Sequence, residues 1–278
     1  MSFIEDNIKE LKDNPRFKDY DITLDNYNYF LMMSQEDKVN GDNNPIPGFY
    51  HEVLKNSNGR YEFTLIPCDS KKNAIKNSRR EELINTTYFT KKSLDADLSD
   101  FRLDTIPRKK AYEYAKKFIK EYSKDNYMDG LYLHGRYGTG KTYLLSSIAN
   151  MLADKGLEVY ILFFPDLCRD LKRNMFKEES EELINKLKNV DILMIDDLGA
   201  ENLTGYIRDD VLGPILNYRW VQKLPIFIAT NLSQRDIKKH LSQTKEDQYN
   251  ATVDQVKGDR IVERILNSVV DCDFDLNA

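Results

Sequence analysis

Eight residues near the middle of the chain, Gly135-Arg136-Tyr137-Gly138-Thr139-Gly140-Lys141-Thr142, restrict its fold more than any others. Glycines at this spacing let the backbone curl until successive N–H groups point inward at phosphate oxygens, and a helix that starts there adds its positive N-terminal end. Such a loop needs a strand before it and a helix after it. Gly130-Leu131-Tyr132-Leu133-His134 reads as the strand, and Thr142 to Ala153, with Leu144, Leu145, Ile148, Ala149 and Leu152 at helical spacing, reads as the helix. Lys141 then supplies a point charge for the β- and γ-phosphates, and the Thr142 hydroxyl is placed to ligate Mg²⁺. Gly135, Gly138, Thr139, Gly140 and Tyr143 complete the predicted nucleotide-binding set.

A chain of 278 residues has room for one large or two modest domains, and its 41% hydrophobic content excludes wholesale disorder. The net charge of −5 means that any contact with nucleic acid must come from a local basic surface. Cys68, Cys168 and Cys272 are widely separated, with no Cys-x-x-Cys pair, so neither a disulfide framework nor a complete zinc site is readable. No stretch approaches the ~18 apolar residues of a membrane span. The N-terminus, Met1-Ser2-Phe3-Ile4-Glu5-Asp6, has no basic start or apolar core of a signal peptide. These features predict a soluble, cytoplasmic protein without a membrane partner.

Residues 1–84 read as a small α+β module: a helix carrying Ile4, Ile8 and Leu11 that stops before Pro15, a turn-rich patch at 40–48, then two strands, Phe49 to Leu54 and Tyr61 to Ile66, joined across Asn56-Ser57-Asn58-Gly59. Residues 85–106 have little periodicity and read as a linker. Residues 107–278 alternate helix and strand. The apolar strands at 130–134, 158–163, 191–195 and 225–229, with a short last one at 268–270, argue for an α/β fold whose parallel sheet is covered by helices on both faces. Gly213-Pro214 is expected to bend a helix over 204–222. Ser233 is expected to cap a short helix, and Gly258 to open the one that carries Arg260 and Arg264.

The strand at 191–195 runs into Asp196-Asp197, which puts two carboxylates at the carboxyl end of a buried strand, where α/β sheets place their ligands. As a Walker B pair, Asp196 holds Mg²⁺ and Asp197 orients the attacking water. Read locally, the same acids cap a turn. Asn231 ends the next strand, placed to hydrogen-bond the γ-phosphate or the water, and equally able to enter the helix that follows. Arg260 and Arg264 lie one helical turn apart, suited to neutralising charge at a neighbouring subunit's phosphate, or to a solvated face.

In this order, residues 130–145, Leu-Met-Ile-Asp-Asp-Leu-Gly-Ala-Glu at 193–201, Ala-Thr-Asn at 229–231 and Gly-Asp-Arg-Ile-Val-Glu-Arg-Ile at 258–265 resemble the AAA+ replicative helicase loaders, the DnaI family with its DnaC and IstB relatives. The resemblance covers about residues 107–270 and implies an AAA+ P-loop ATPase binding ATP and Mg²⁺. It makes Asn231 sensor 1, and it puts the Arg260/Arg264 pair in the arginine-finger segment, with Arg264 favoured as the finger. Asp197 stands where many AAA+ proteins carry Glu. Pro47 to Leu54, Gly59-Arg60-Tyr61-Glu62 and Pro67-Cys68 resemble the family's helicase-binding domain. That domain usually carries a cysteine-rich zinc site. Here only Cys68 and His51 remain, too few for four ligands, so no zinc is predicted and both are expected to be packed residues.

The resemblance implies an ATP-dependent loader of the hexameric replicative helicase in replication initiation or restart, assembling on the helicase ring, with slow, partner-stimulated hydrolysis. An IstB-like transposition helper and a nucleotide-binding adaptor with little turnover stand as alternatives. Lys71-Lys72, Arg79-Arg80, Arg108-Lys109-Lys110 and Lys116-Lys117 read as solvated charges, with single-stranded DNA as the open alternative partner for one such patch.

Overall fold

A computed structural model describes residues 2–55, 60–86, 88, 95–175, 177–244 and 255–275. Two compact units, Met1–Ser78 and Arg79–Ala278, divide the chain.

In the first unit, α1 (Ser2–Asp13) ends before a short 3₁₀ turn at Pro15–Phe17, which is capped by the Asn14 side chain accepting the Arg16 N–H. α2 (Tyr27–Gln35) and an antiparallel hairpin, β1 (Phe49–Lys55) with β2 (Tyr61–Pro67), follow. The expected turn at 56–59 lies outside the described residues. Leu11, Phe17, Ile22, Phe30, Met33 and Val53 form the core, and the Phe30 ring meets Phe17, Tyr20 and Phe63 at 5.4 to 5.5 Å in edge or tilted contacts. The turn-rich patch folds around the buried Asn44. Its Oδ1 accepts the Asp37 N–H at 2.8 Å, and its Nδ2 donates to the carbonyls of Asp37 and Phe49. Both residues read as the remainder of a zinc site have protein partners: His51 Nδ1 lies 2.6 Å from Glu36 Oε1, and the Cys68 thiol donates to the Asp37 carbonyl at 3.1 Å. Burial pushes that thiol's pKa up. α3 (Asp69–Leu83) contains the division between the units.

The second unit is a six-stranded parallel sheet: β3 (Ile84–Asn85), β4 (Gly130–His134), β5 (Val159–Phe163), β6 (Ile192–Asp196), β7 (Ile226–Thr230) and β8 (Val269–Asp273), in the order β3-β5-β6-β7-β4-β8. Its central strands are buried along their whole length, because alternate side chains enter two different cores. Leu131, Leu133, Ile161, Met194 and Phe227 pack against α4 (Ile106–Glu121) and α5 (Lys141–Asp154). Tyr132, Tyr160, Leu193, Ile195 and Ile228 pack against α6 (Phe164–Arg173), α7 (Glu178–Asn189), α8 (Gly213–Val221), α9 (Gln234–Leu241) and α10 (Gln255–Leu266).

Four details differ from the expectation. The described part of the stretch read as a linker is packed: Asn85 pairs with Tyr160 in the sheet, and Leu98 and Phe101 are buried in the α4/α5 core. Two apolar residues in a polar stretch leave no periodic trace. Ahead of Pro214, residues Tyr206–Leu212 form a π-helix, with the Gly213 N–H donating to the Arg208 carbonyl five positions back. Proline has no N–H of its own to continue the α-helical pattern. Gly258 sits inside α10 and does not open it. A Cβ there would lie 2.4 Å from Ser242 Oγ, so glycine is what allows α10 to close on the end of α9. The last strand has five residues, pairing from Gly130↔Val269 to His134↔Asp273.

One buried side chain ties several of these elements together. Arg219 is fully buried, and its guanidinium donates to five carbonyls: Leu187, Lys188 and Val190 at the end of α7, Asp191 ahead of β6 and Pro225 ahead of β7. Burial lowers its pKa to about 9. The planar fork satisfies orphan helix-end carbonyls that would otherwise be sealed from water. Replacing Arg219 by Met is expected to cost about 3 kcal/mol or more, read as a lower urea midpoint at unchanged slope, because several buried carbonyls lose their donor.

Candidate nucleotide-binding site

β7 lies between β4 and β6 in a parallel sheet, so the loop after β4, the acids at the end of β6 and the residue after β7 all emerge on one edge. The loop residues 137–142 with Phe163, Asp196, Asp197, Thr230 and Asn231 line a cavity of about 440 Å³. Gly140 caps α5 with φ +92, a left-handed conformation, and a Cβ there would lie 2.6 Å from an Arg108 nitrogen.

Lys141 Nζ donates to the carbonyls of Gly135 at 2.6 Å and Arg136 at 2.8 Å and to Asn231 Oδ1 at 3.0 Å. These acceptors are neutral. Burial pushes the lysine pKa down, with Asp196 pulling the other way. An ammonium held by neutral oxygens on the floor of a cavity fits an anionic phosphate. The Thr142 hydroxyl lies 3.0 and 3.2 Å from the two Asp196 oxygens, a compact set of hard oxygen donors that suits Mg²⁺. Asp196 is buried, which raises its pKa to about 6, against the hydrogen bond from Thr142. Asp197 has φ +58, uncommon for a residue with a Cβ, and burial raises its pKa while Lys141 opposes. The Asn231 amide joins the two halves: it accepts from Lys141 and donates to Asp197 Oδ1 at 3.0 Å.

The structure thus gathers Gly138, Thr139, Gly140, Lys141, Thr142, Asp196, Asp197 and Asn231 around one cavity. Gly135 contributes its carbonyl to Lys141. Tyr143 does not line the cavity, and its hydroxyl donates to the Asp97 carbonyl at 2.9 Å. Arg260 and Arg264 line a different cavity of about 410 Å³ with Arg208, Asp209 and Lys257. No phosphate-loop residue lines that cavity. Phe163 also lines the nucleotide cavity and escaped the sequence reading, since a strand-end Phe carries no local signal of its own. Of the basic pairs, Arg80 forms a two-point ion pair with Asp154 and Arg108 is buried beside Asp104, while Lys109, Lys110, Lys116 and Lys117 remain exposed along α4.

A parallel sheet that carries a phosphate loop after β4, paired acids after β6 and a polar amide after β7 defines an AAA+ P-loop ATPase domain. Residues 105–209 match the family described as the bacterial DnaA ATPase domain. The chain is 30% identical over 224 residues to the replicative helicase loader DnaI of Bacillus subtilis (strain 168), covering 81% of this chain and 70% of that protein. It is 28% identical over 156 residues to the replicative helicase loader DnaC of Escherichia coli (strain K12), covering 55% of this chain and 62% of that protein. A crystal structure of DnaI superposes with a TM-score of 0.63 at 39% identity, over 70% of this chain and 98% of that one. The chain belongs to the DnaI family of replicative helicase loaders. Its fold and motif set are those of a family of nucleotide-hydrolysing AAA+ ATPases.

Asp196→Asn keeps the shape of the site and removes the carboxylate facing Thr142. The gain in ATP affinity that Mg²⁺ provides, measured by calorimetry with and without chelator, is expected to fall about tenfold or more.

Proposed function

We propose that this chain loads a replicative helicase onto DNA, and that nucleotide occupancy of the cavity between β4 and β6 sets when it holds the helicase and when it releases it. Membership of a helicase-loader family supports the activity. The observation that carries the switch is the Asn231 amide, bonded at once to Lys141 and to Asp197. An anion that engages Lys141 competes with the Asn231 oxygen, and the consequence is felt both at Asp197 and at the end of β7.

In this reading the amides of the loop residues 138–142 cradle the phosphates of ATP, and Lys141 meets the β- and γ-oxygens. Thr142 and Asp196 hold Mg²⁺, which when bound offsets phosphate charge. Asp197 orients the attacking water and accepts its proton, and Asn231 keeps that carboxylate aimed into the cavity. Arg264, with Arg260 one turn away, acts on the phosphates of a neighbouring copy when the chain assembles on the helicase ring, which accords with their lining a cavity other than that of their own phosphate loop. Hydrolysis is slow alone and stimulated by partners. Residues 1–84 grip the hexameric helicase, and residues 107–278 form the ATPase. The exposed lysines of α4 offer phosphate contacts to single-stranded DNA. The protein works in the cytoplasm, and among the described residues no helix is long and apolar enough to cross a membrane.

Lys141→Ala is expected to retain helicase binding within about twofold while losing ATP-dependent loading, scored by helicase capture on single-stranded DNA. Loading with full ATP dependence would contradict the proposal. Arg264→Ala is expected to leave the nucleotide Kd within about twofold and to lower helicase-stimulated turnover by about a hundredfold or more. Complementation on mixing it with Lys141→Ala reports whether the arginine acts between copies.

A further inference from the structure

The segment Asp196-Asp197-Leu198-Gly199-Ala200-Glu201 carries a third acidic residue to which the chemistry above gives no task. Glu201 is a carboxylate with a side chain only 1% exposed, and each of its oxygens has a separate partner. Oε2 accepts the Gly199 N–H at 2.8 Å, and Oε1 lies 2.7 Å from His240 Nε2. His240 belongs to the last turn of α9, the helix that Ser233 caps two residues after Asn231.

The turn that Glu201 touches is the one that aims Asp197. Leaving β6, the chain enters the left-handed region at Asp197 and doubles back, so that the Ala200 N–H donates to the Asp197 carbonyl at 3.2 Å. On one side the turn is stapled to β7, by the Leu198 N–H on the Ala229 carbonyl and by the Thr230 hydroxyl on the Leu198 carbonyl. On the other side stands the Glu201 bond to the Gly199 amide. A residue held in an uncommon backbone conformation stays there only where its surroundings over-determine it. A buried carboxylate is costly unless its oxygens are hydrogen-bonded, and both oxygens of Glu201 are.

We propose that Glu201 is a positioning residue for Asp197: it fixes the turn through the Gly199 amide, and His240 fixes Glu201. The proposal rests on the reading of Asp197 as the residue that orients the attacking water. It assigns Glu201 and His240 a part in turnover and none in nucleotide binding, because neither lines the cavity.

The test uses the full chain with helicase and single-stranded DNA. For Glu201→Ala, kcat is expected to fall about tenfold while the KM for ATP and the Kd of a non-hydrolysable ATP analogue stay within about twofold. Glu201→Gln is expected to recover kcat to within about threefold of the parent, since its amide oxygen accepts the Gly199 N–H and its NH₂ donates to the His240 ring. His240→Ala is expected to lower kcat about threefold and to add nothing to Glu201→Ala in the double variant, as two members of one chain of bonds should. Wild-type kcat in Glu201→Ala, fully additive losses, or a Gln variant as impaired as the Ala variant would overturn the proposal. Should Glu201→Ala fail to fold, His240→Ala decides alone: lost turnover at unchanged analogue affinity supports the assignment, and unchanged turnover ends it. Absence of turnover in the parent chain under every condition would instead overturn the hydrolytic reading, and this assignment with it.

Discussion

The place of β7 between β4 and β6 is the constraint on which the site depends. Parallel pairing on both sides of β7, through Leu133↔Ala229 and Ile195↔Ile228, brings three chain segments far apart in sequence to one sheet edge in fixed register. A shift of one residue in β7 would turn Ile226 and Ile228 toward α4 and α5, and Phe227 toward the opposite core, so burial on both faces enforces the register. The lysine, the acid pair and the amide meet because the sheet leaves them no other arrangement.

Several polar groups taken into this interior are satisfied in a consistent way. Arg219 is spent on carbonyls at the ends of α7 and the entries to β6 and β7, Lys141 on the carbonyls of its own loop and on Asn231, and Glu201 on one amide and one imidazole. In the first unit, Asn44 does the same for the patch between α2 and β1. Each bond trades water for protein at modest net gain, but leaving any one unmade costs more than it contributes. Such centres therefore specify one arrangement of their surroundings more than they add stability. The candidate nucleotide site differs in one respect: Lys141 is held by neutral oxygens and Asp196 by the Thr142 hydroxyl, partners of a kind that an anion and a cation replace in the proposed reading.

The phosphate loop, the Asp196-Asp197 step and Asn231 were legible in the chain because each combines a chemical residue type with a local context, strand before and helix or turn after. From α4 onward the helices and strands of the second unit were legible for the same reason, since continuous apolar runs alternate with helical spacing, whereas the two-residue β3 was not. α3 was not, because it buries no residue and so carries no apolar stripe. The packed stretch around Leu98 and Phe101 was not, because two buried side chains make no period. Gly258 looked like a helix start, because only the nearby Ser242 reveals that glycine serves a close helix contact.

From its order of residues alone, this chain determines that a phosphate-loop motif stands between a strand and a helix, that its sheet is parallel and covered on both faces, and to which family it belongs. Those properties follow from local patterning: backbone freedom at glycines, the alternation of side chains along strands, and chemistry placed at strand ends. Only the tertiary structure decided that Asn231 spans Lys141 and Asp197, that Glu201 meets His240 across 39 positions of sequence, and that Arg260 and Arg264 face a cavity of their own. Contacts between residues far apart in the chain depend on how helices settle against the sheet, and that is set by packing of the whole core, which no short stretch of sequence contains.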